Sequence, residues 1–177
     1  MYLFSEGRKK KKEPRVQLLG SGTILREVIA AAAILKDDYN VNADIWSVTS
    51  FNELRREALD VVRWNMLHPT EPAKASHVEN CLQGREGPVV AATDYMKIYA
   101  DQIREFIPGH YRVLGTDGFG RSDTREKLRH FFEVDRFYIT VAALKALSEE
   151  GKIPSEQVVQ AMQKYGIDPE KPNPVTV

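Results

Sequence analysis

Residues 115–135 read Gly-Thr-Asp-Gly-Phe-Gly-Arg-Ser-Asp-Thr-Arg-Glu-Lys-Leu-Arg-His-Phe-Phe-Glu-Val-Asp. The run before them, Tyr111–Leu114, is rich in β-forming residues and follows Pro108-Gly109, which predicts a buried strand. Glycines at 115, 118 and 120 permit sharp backbone turns. Asp123 and Glu126 have the spacing of a helix capping box. The stretch therefore predicts a strand, a glycine loop and a capped helix in succession.

The rest of the chain alternates between apolar runs and helical patterns. Three further runs, at 16–19, 43–48 and 88–92, have the composition of strands, and each is followed by apolar residues at helical spacing. This alternation predicts an α/β fold, a three-layer sandwich with a mainly parallel, mixed sheet of four to five strands. The pattern also predicts a helix capped by Thr93 or Asp94 and a possible edge strand beginning at Val134.

Changes in composition predict three segments. Residues 1–14 contain a short apolar start and a basic turn, which we interpret as an interdomain connection. Residues 15–165 hold the periodic elements and form a single α/β domain. Residues 166–177 contain three prolines and little periodicity, which predicts an extended C-terminal tail.

Composition is that of a globular domain, with 28% charged and 42% hydrophobic residues among 177. No apolar run is long enough to span a membrane and no signal peptide is visible, so we expect a cytoplasmic protein. One cysteine, Cys81, excludes an internal disulfide. The run Arg8 to Lys12 is basic, but it is short and the remaining chain is acidic, so we predict a solvated turn and no nucleic-acid partner.

Parallel strands bring their carboxyl ends to one edge, where α/β sheets usually bind ligands. That edge should collect the Gly20-Ser-Gly22 turn, residues 47–50, Thr93-Asp94 and the loop 115–122. The loop has three possible roles: a small-anion site, a subunit contact or a local salt-bridged turn. The candidate residues of this interface or anion loop are Asp117, Gly118, Gly120, Arg121, Ser122, Asp123 and Arg125.

Two other motifs suggest a nucleotide site and a metal site, but neither matches the pattern that such a site requires. Gly20-Ser-Gly22 resembles a dinucleotide fingerprint, but Leu25 stands where the third glycine or alanine belongs. His68 and His77 are separated by prolines and fit no standard zinc spacing. We therefore predict no catalytic, cofactor-binding or metal-binding residue on this chain.

Five motifs, in chain order, resemble the C-terminal, transketolase-type domain of the homodimeric bacterial pyruvate dehydrogenases. These enzymes are the decarboxylating component of the pyruvate dehydrogenase complex. The motifs are Val16-Gln-Leu-Leu-Gly-Ser-Gly22, Ser47-Val-Thr-Ser50, Arg63-Trp-Asn-Met-Leu-His-Pro69, Thr93-Asp-Tyr-Met-Lys97 and Gly115-Thr-Asp-Gly-Phe-Gly-Arg-Ser-Asp-Thr-Arg-Glu126.

The resemblance implies an enzyme that decarboxylates pyruvate on thiamine diphosphate with Mg²⁺ and passes the acetyl unit to a lipoyl group of the acyltransferase component. In that family two earlier domains from different subunits hold the cofactor, so this chain would be an inactive, dimer-supporting C-terminal domain. Met1 would then be internal to a longer homodimeric chain. The alternatives are a free-standing α/β module that binds a regulatory anion and a related enzyme for another 2-oxo acid.

Overall fold

The computed structural model describes residues 1–8 and 13–177, and it contains five strands and seven α-helices over those residues. Three short 3-10 turns, at Gly22–Ile24, Arg104–Phe106 and Pro174–Thr176, join or end them. The elements in order are β1 (Tyr2–Ser5), β2 (Arg15–Ser21), α1 (Leu25–Tyr39), β3 (Asn42–Val48), α2 (Phe51–Leu67), α3 (His77–Leu82), β4 (Val89–Ala92), α4 (Lys97–Asp101), β5 (Tyr111–Leu114), α5 (Arg125–Phe131), α6 (Arg136–Glu149) and α7 (Ser155–Lys164).

The five strands form one mixed sheet in the order β1-β3-β2-β4-β5. β2, β3, β4 and β5 run parallel, while β1 pairs antiparallel with β3 at one edge. Leu19 in the central strand lies beside Trp46 on one side and Ala91 on the other. The prediction of a mainly parallel, mixed α/β sheet is confirmed.

Each face of the sheet carries its own apolar core, because side chains alternate along a strand. Val16 and Leu18 point to the face covered by α1, α6 and α7. Leu19 and Trp46 point to the opposite face, which α2, α3 and α4 cover. Helices on both faces of one sheet give the predicted three layers.

Local side-chain chemistry sets several helix ends. The Ser50 hydroxyl accepts a hydrogen bond from the Glu53 N–H (3.2 Å) and begins α2. Ser76 and Glu79 form a capping box at α3. Asp135 accepts from the N–H groups of Phe137 and Tyr138 and begins α6.

A buried polar cluster joins the strands at the amino edge of the sheet. The Asp44 carboxylate is fully buried and pairs with the Arg15 guanidinium. The same carboxylate accepts from the Gly7 N–H (2.9 Å) and the Gln17 side-chain amide (3.0 Å). Gln17 in turn accepts from the indole N–H of Trp46 (2.9 Å). Two strands and the segment after β1 are therefore held by one carboxylate.

The first residues contribute more than a connection. Tyr2–Ser5, within the segment 1–14 that the sequence assigns to an interdomain connection, is the edge strand β1. Lys9 to Lys12, which make up most of the predicted basic turn, lie outside the described residues.

Three local predictions are wrong. The N-cap of α5 is Thr124, whose hydroxyl accepts from the Lys127 N–H, and not Asp123. Neither Thr93 nor Asp94 caps a helix, because α4 begins only at Lys97. Val134 starts no strand, since it is a buried residue directly before α6.

Candidate functional site

The carboxyl ends of the strands meet as the parallel topology predicts. Thr23, which follows β2, donates from its hydroxyl to the Asp94 carboxylate after β4 (2.9 Å). Thr116, which follows β5, donates to the Asp94 backbone carbonyl (3.0 Å). Gly22 has a φ of +57° and lies against the Asp94 side chain. Segments from three strands thus form one continuous surface at this edge.

Two glycines in the loop after β5 are required by close backbone approach. A Cβ on Gly115 would lie 2.6 Å from the Tyr95 carbonyl oxygen. Gly118 has a φ of +117°, and a Cβ there would lie 2.4 Å from the Pro174 carbonyl oxygen. The loop is therefore pressed between the segment after β4 and the C-terminal tail, while the space around Gly120 is open.

The C-terminal tail packs against α5. The Lys171 ammonium donates to the Phe131 carbonyl oxygen (2.6 Å) and pairs with Glu133 (3.0 Å). Ile167 and Pro174 are buried. The tail is thereby fixed to α5 and packs against the loop.

The predicted site residues occupy different places in this loop. Asp117 accepts from the Lys97 backbone N–H (3.3 Å), so it orients α4. Asp123 accepts from the Thr124 N–H (2.7 Å). The Arg121 guanidinium lies over the Phe131 ring, 4.4 Å from its centroid. Ser122 and Arg125 are exposed.

An open pocket of about 700 Å³ lies between this loop, the β2 and β4 ends, and α5. Its lining includes five of the seven predicted residues, Gly118, Gly120, Arg121, Asp123 and Arg125. Asp117 and Ser122 do not line it. Further polar lining comes from Thr23, Asp94, Thr116 and Arg129, with an apolar floor of Ile24, Leu128, Phe132 and Val134.

A buried carboxylate that the sequence did not reveal fixes one wall of the pocket. Glu27 in α1 is 5% exposed and pairs with Arg129 of α5 (2.8 Å) and Arg136 of α6 (2.9 Å). It also accepts from the Arg136 backbone N–H (3.2 Å). Burial raises the pKa of Glu27, but the hydrogen bonds and positive charge of Arg136, with the charge of Arg129, outweigh it and lower the pKa below its usual value.

Charge in the pocket is nearly balanced. Arg129 is already neutralised by Glu27, and Arg121 lies over an aromatic ring. Asp94 and Asp123 oppose the remaining positive charge. The arrangement suits a polar protein contact better than a dedicated anion site, because an anion would meet two carboxylates there.

Three of the four histidines are held in structural contacts. His130 bonds to the helix-capping carboxylate of Asp135 (2.9 Å). His68 stacks on Trp64, with 4.3 Å between ring centroids. The His77 ring bonds to the Met1 carbonyl oxygen (2.8 Å). Over residues 1–8 and 13–177, no three side chains of the types His, Cys, Asp and Glu are grouped as metal ligands. Nor does this part of the chain contain a helix long and apolar enough to span a bilayer.

An apolar surface borders the pocket. We define the edge surface as Tyr95, Met96, Ile98, Tyr99 and Phe119, which are 56%, 48%, 60%, 37% and 78% exposed. The helical spacing of Met96, Tyr99, Ile103 and Phe106 predicts a core-facing stripe without a cofactor role, but only Ile103 and Phe106 are buried, so the core prediction is wrong for Met96 and Tyr99. Exposed aromatic residues grouped in this way mark interaction surfaces.

Known proteins are similar to this chain in sequence over most or all of its length. Residues 1–135 match the model of the transketolase-like C-terminal domain. The whole chain is 60% identical to a pyruvate dehydrogenase E1 component of Cupriavidus necator, and 176 residues (99% of the chain) are 61% identical to that of Pseudomonas aeruginosa. The match with Escherichia coli K12 is 53% over 161 residues, or 90% of the chain. The chain spans about a fifth of the length of these relatives, 20%, 20% and 18%.

A solved structure supports the fold. A split-gene transketolase described as an inactive β4 tetramer aligns with a TM-score of 0.55 and 18% identity over 83% of this chain and 42% of its own.

Proposed function

The chain belongs to the family of transketolase-like C-terminal domains, and we propose that it is that domain of a pyruvate dehydrogenase, the enzyme that decarboxylates pyruvate and transfers the acetyl unit to a lipoyl group. The observation that carries the proposal is 60% identity to a pyruvate dehydrogenase E1 component over all 177 residues. Identity of this extent covers the strands, the pocket loop and the tail together.

The domain's role in that enzyme is structural. Residues 15–165 form its core, residues 1–14 connect it to the rest of the enzyme and add the edge strand β1, and residues 166–177 are the tail. Thiamine diphosphate and Mg²⁺ are held elsewhere in the whole enzyme. The described residues do not fit that cofactor: no trio of acidic, histidine or cysteine side chains is grouped for Mg²⁺, and Asp117 is engaged by Lys97.

We assign the pocket loop and the edge surface to the contact between two subunits of a homodimer. Phe119 is 78% exposed in the loop, and Arg121, two residues later, is exposed as well, with its guanidinium over the Phe131 ring. Aromatic and arginine side chains contribute most to protein interfaces. The alternative, a free-standing anion-binding module, is less favoured because Asp94 and Asp123 share the pocket with its arginines.

Catalysis is tested on the whole enzyme. Pyruvate oxidation with an artificial electron acceptor should require thiamine diphosphate and Mg²⁺, and should reach lipoyl groups when the acyltransferase component is added. An antibody against these 177 residues should detect a cytoplasmic chain several times heavier than 20.1 kDa. Activity on a different 2-oxo acid but not on pyruvate would assign the chain to a related enzyme instead.

The subunit contact is tested by sedimentation of the whole enzyme. Phe119→Ala and Arg121→Ala should each raise the dimer dissociation constant by about tenfold or more, as truncation of central interface residues does. Val159→Ala, on the exposed side of α7, is the control because Val159 lies 47% exposed and outside the edge surface. Unchanged dissociation in both loop variants would remove the loop from the subunit contact.

A further inference from the structure

Residues 118–122 of the pocket loop make no hydrogen bond to the part of the chain that the structure describes. The loop is fixed on either side of them, where the Asp117 and Asp123 carboxylates accept from backbone N–H groups (3.3 and 2.7 Å). Phe119 and Arg121, which we assign to the subunit contact, lie inside this stretch. Its conformation therefore depends on packing against other segments.

The C-terminal tail, residues 166–177, supplies one such contact. Gly118 has a φ of +117°, and a Cβ there would lie 2.4 Å from the Pro174 carbonyl oxygen and 3.4 Å from the Val175 Cα. The loop backbone therefore lies directly against the tail backbone. Pro174 is buried, so the tail is a firm support for the loop at this point.

Local hydrogen bonds shape the tail but do not place it on the domain. Asp168 accepts from the Glu170 N–H (2.9 Å), and Asn173 accepts from the Val175 N–H (3.1 Å). These bonds join residues that are close in sequence, so they would survive a rigid movement of the tail. A contact with the rest of the domain has to set its position.

Lys171 makes that contact. Among residues 168–177, only Lys171 hydrogen-bonds to another part of the described chain. Its ammonium donates to the Phe131 carbonyl oxygen at the end of α5 (2.6 Å) and pairs with Glu133 (3.0 Å). The ammonium also lies 5.5 Å from the centroid of the Tyr138 ring. The Lys171 side chain is 20% exposed, so water competes only weakly for these partners.

The Phe131 ring links the same contact to the loop. The Arg121 guanidinium lies 4.4 Å from the centroid of this ring, and the Lys171 ammonium lies 5.3 Å from it. Two cations beside one ring repel each other. Glu133 reduces that repulsion because its carboxylate pairs with Lys171. The anchored tail therefore supports the loop both at its backbone and at Arg121.

We propose that Lys171 is a positioning residue for the subunit contact. It fixes the tail on α5, and the tail holds residues 118–122 so that Phe119 and Arg121 are presented to the second subunit. The inference rests on the proposed function, because it requires that this loop meets a second subunit. Without the anchor, a loop that lacks hydrogen bonds would be ordered only on association, which lowers the affinity between subunits.

The test is sedimentation of the whole enzyme with Lys171→Met, which keeps a long side chain and removes the ammonium. The dimer dissociation constant should rise about tenfold, since a hydrogen bond from a charged group contributes roughly this factor. Lys171→Arg keeps the charge and the donors, so the constant should stay within about threefold of the wild-type value. Lys152→Met, at an exposed lysine before α7, is the control and should leave the constant unchanged.

Glu133→Gly separates positioning from stability. Glu133 has a φ of +61°, which glycine adopts more readily, so the variant should keep the circular dichroism spectrum of the wild-type enzyme. The substitution nevertheless removes the carboxylate that pairs with Lys171. We expect the dimer dissociation constant to rise about threefold, because one partly exposed ion pair is lost while the Phe131 carbonyl oxygen remains as an acceptor.

A double-mutant cycle shows whether Lys171 acts through the loop. In the Phe119→Ala enzyme, Lys171→Met should raise the dissociation constant by less than about threefold, because a side chain that it positions is already gone. Fully additive effects would overturn the inference. So would unchanged dissociation in Lys171→Met and Glu133→Gly when Phe119→Ala weakens the dimer, and the subunit contact would then still stand. Unchanged dissociation in Phe119→Ala would instead refute the subunit contact, and the positioning role with it.

Discussion

Glu27→Gln should destabilise the fold strongly without changing the size of any side chain. Glu27 joins α1 to α5 and α6 through Arg129 and Arg136, and it is 5% exposed. Glutamine keeps the shape but loses the charge, and its NH₂ group faces guanidinium donors where an acceptor is needed. Both arginines would then lose their common carboxylate.

The expected loss in the free energy of unfolding depends on how exposed the two arginine partners of Glu27 are. Breaking a buried ion pair costs about 3–5 kcal/mol when the remaining charge stays buried. The Arg136 side chain is 44% exposed and can regain water, whereas the Arg129 side chain is only 17% exposed. We therefore expect a loss of about 2–4 kcal/mol in the free energy of unfolding at pH 7.

The effect should depend on pH in a defined direction. The pKa of Glu27 is lowered in the fold from the ordinary value of 4.5, so its carboxylate stabilises the fold above pH 4.5. That stabilisation is lost as the pH falls below 4.5 and through the folded-state pKa. The difference between the wild-type chain and Glu27→Gln should shrink accordingly, since the variant resembles the protonated side chain.

Urea unfolding of the 177-residue chain, followed by circular dichroism at pH 7 and below pH 4.5, measures both effects. Glu105→Gln, at a solvent-exposed glutamate, is the control and should change stability by less than about 0.5 kcal/mol. A loss below about 1 kcal/mol at pH 7, or a difference that does not vary with pH, would refute the assigned role of the carboxylate.

Three further substitutions test other parts of the fold by the same unfolding measurement. Gly87→Ala places a Cβ 1.8 Å from the Arg15 carbonyl oxygen at a φ of +85° and should lower the free energy of unfolding by more than about 3 kcal/mol. The control Gly84→Ala has open space at a φ of +71° and should lower it by about 1–2 kcal/mol. Similar losses of stability in the two variants would contradict the packing at Gly87. Asp44→Asn leaves the Arg15 charge uncompensated and should cost about 3 kcal/mol; a neutral result would remove the cluster as an anchor. Asp135→Ala removes the α6 cap and should cost about 1–2 kcal/mol, with no loss arguing against the cap.

Elements whose signal is local were predictable from the sequence. The run Val89–Ala92 is fully buried, as its apolar composition indicates. β1 was not recognised as a strand, because Tyr2–Ser5 is a short, mostly exposed edge segment whose partner, β3, lies about 40 residues away. Nothing local specifies that antiparallel pairing.

The region between β4 and β5 shows why helix prediction failed there. Met96, Tyr99, Ile103 and Phe106 have one helical spacing, yet the chain divides into α4 and a 3-10 turn. Asp117 accepts from the Lys97 N–H across 20 residues and fixes where α4 begins. A sequence window cannot contain that contact.

The candidate site was predictable in outline only. Parallel topology places the strand ends together, so the meeting of Asp94 with the loop that contains Thr116 was expected, whereas the contact made by Thr23 was not named in advance. The contacts of Glu27 with Arg129 and Arg136 span more than 100 residues, and an acidic residue in the first turn of a helix looks ordinary.

The fluorescence of the two tryptophans of the chain reports on two different parts of the structure. Trp46 lies in the sheet, 3% exposed, with its indole N–H bonded to Gln17, so its emission follows the integrity of the core. Trp64 lies near the end of α2 beneath the Lys74 ammonium, and its emission follows the surroundings of that helix. A fluorescence change confined to Trp64 therefore distinguishes a movement of the helix surface from unfolding of the sheet.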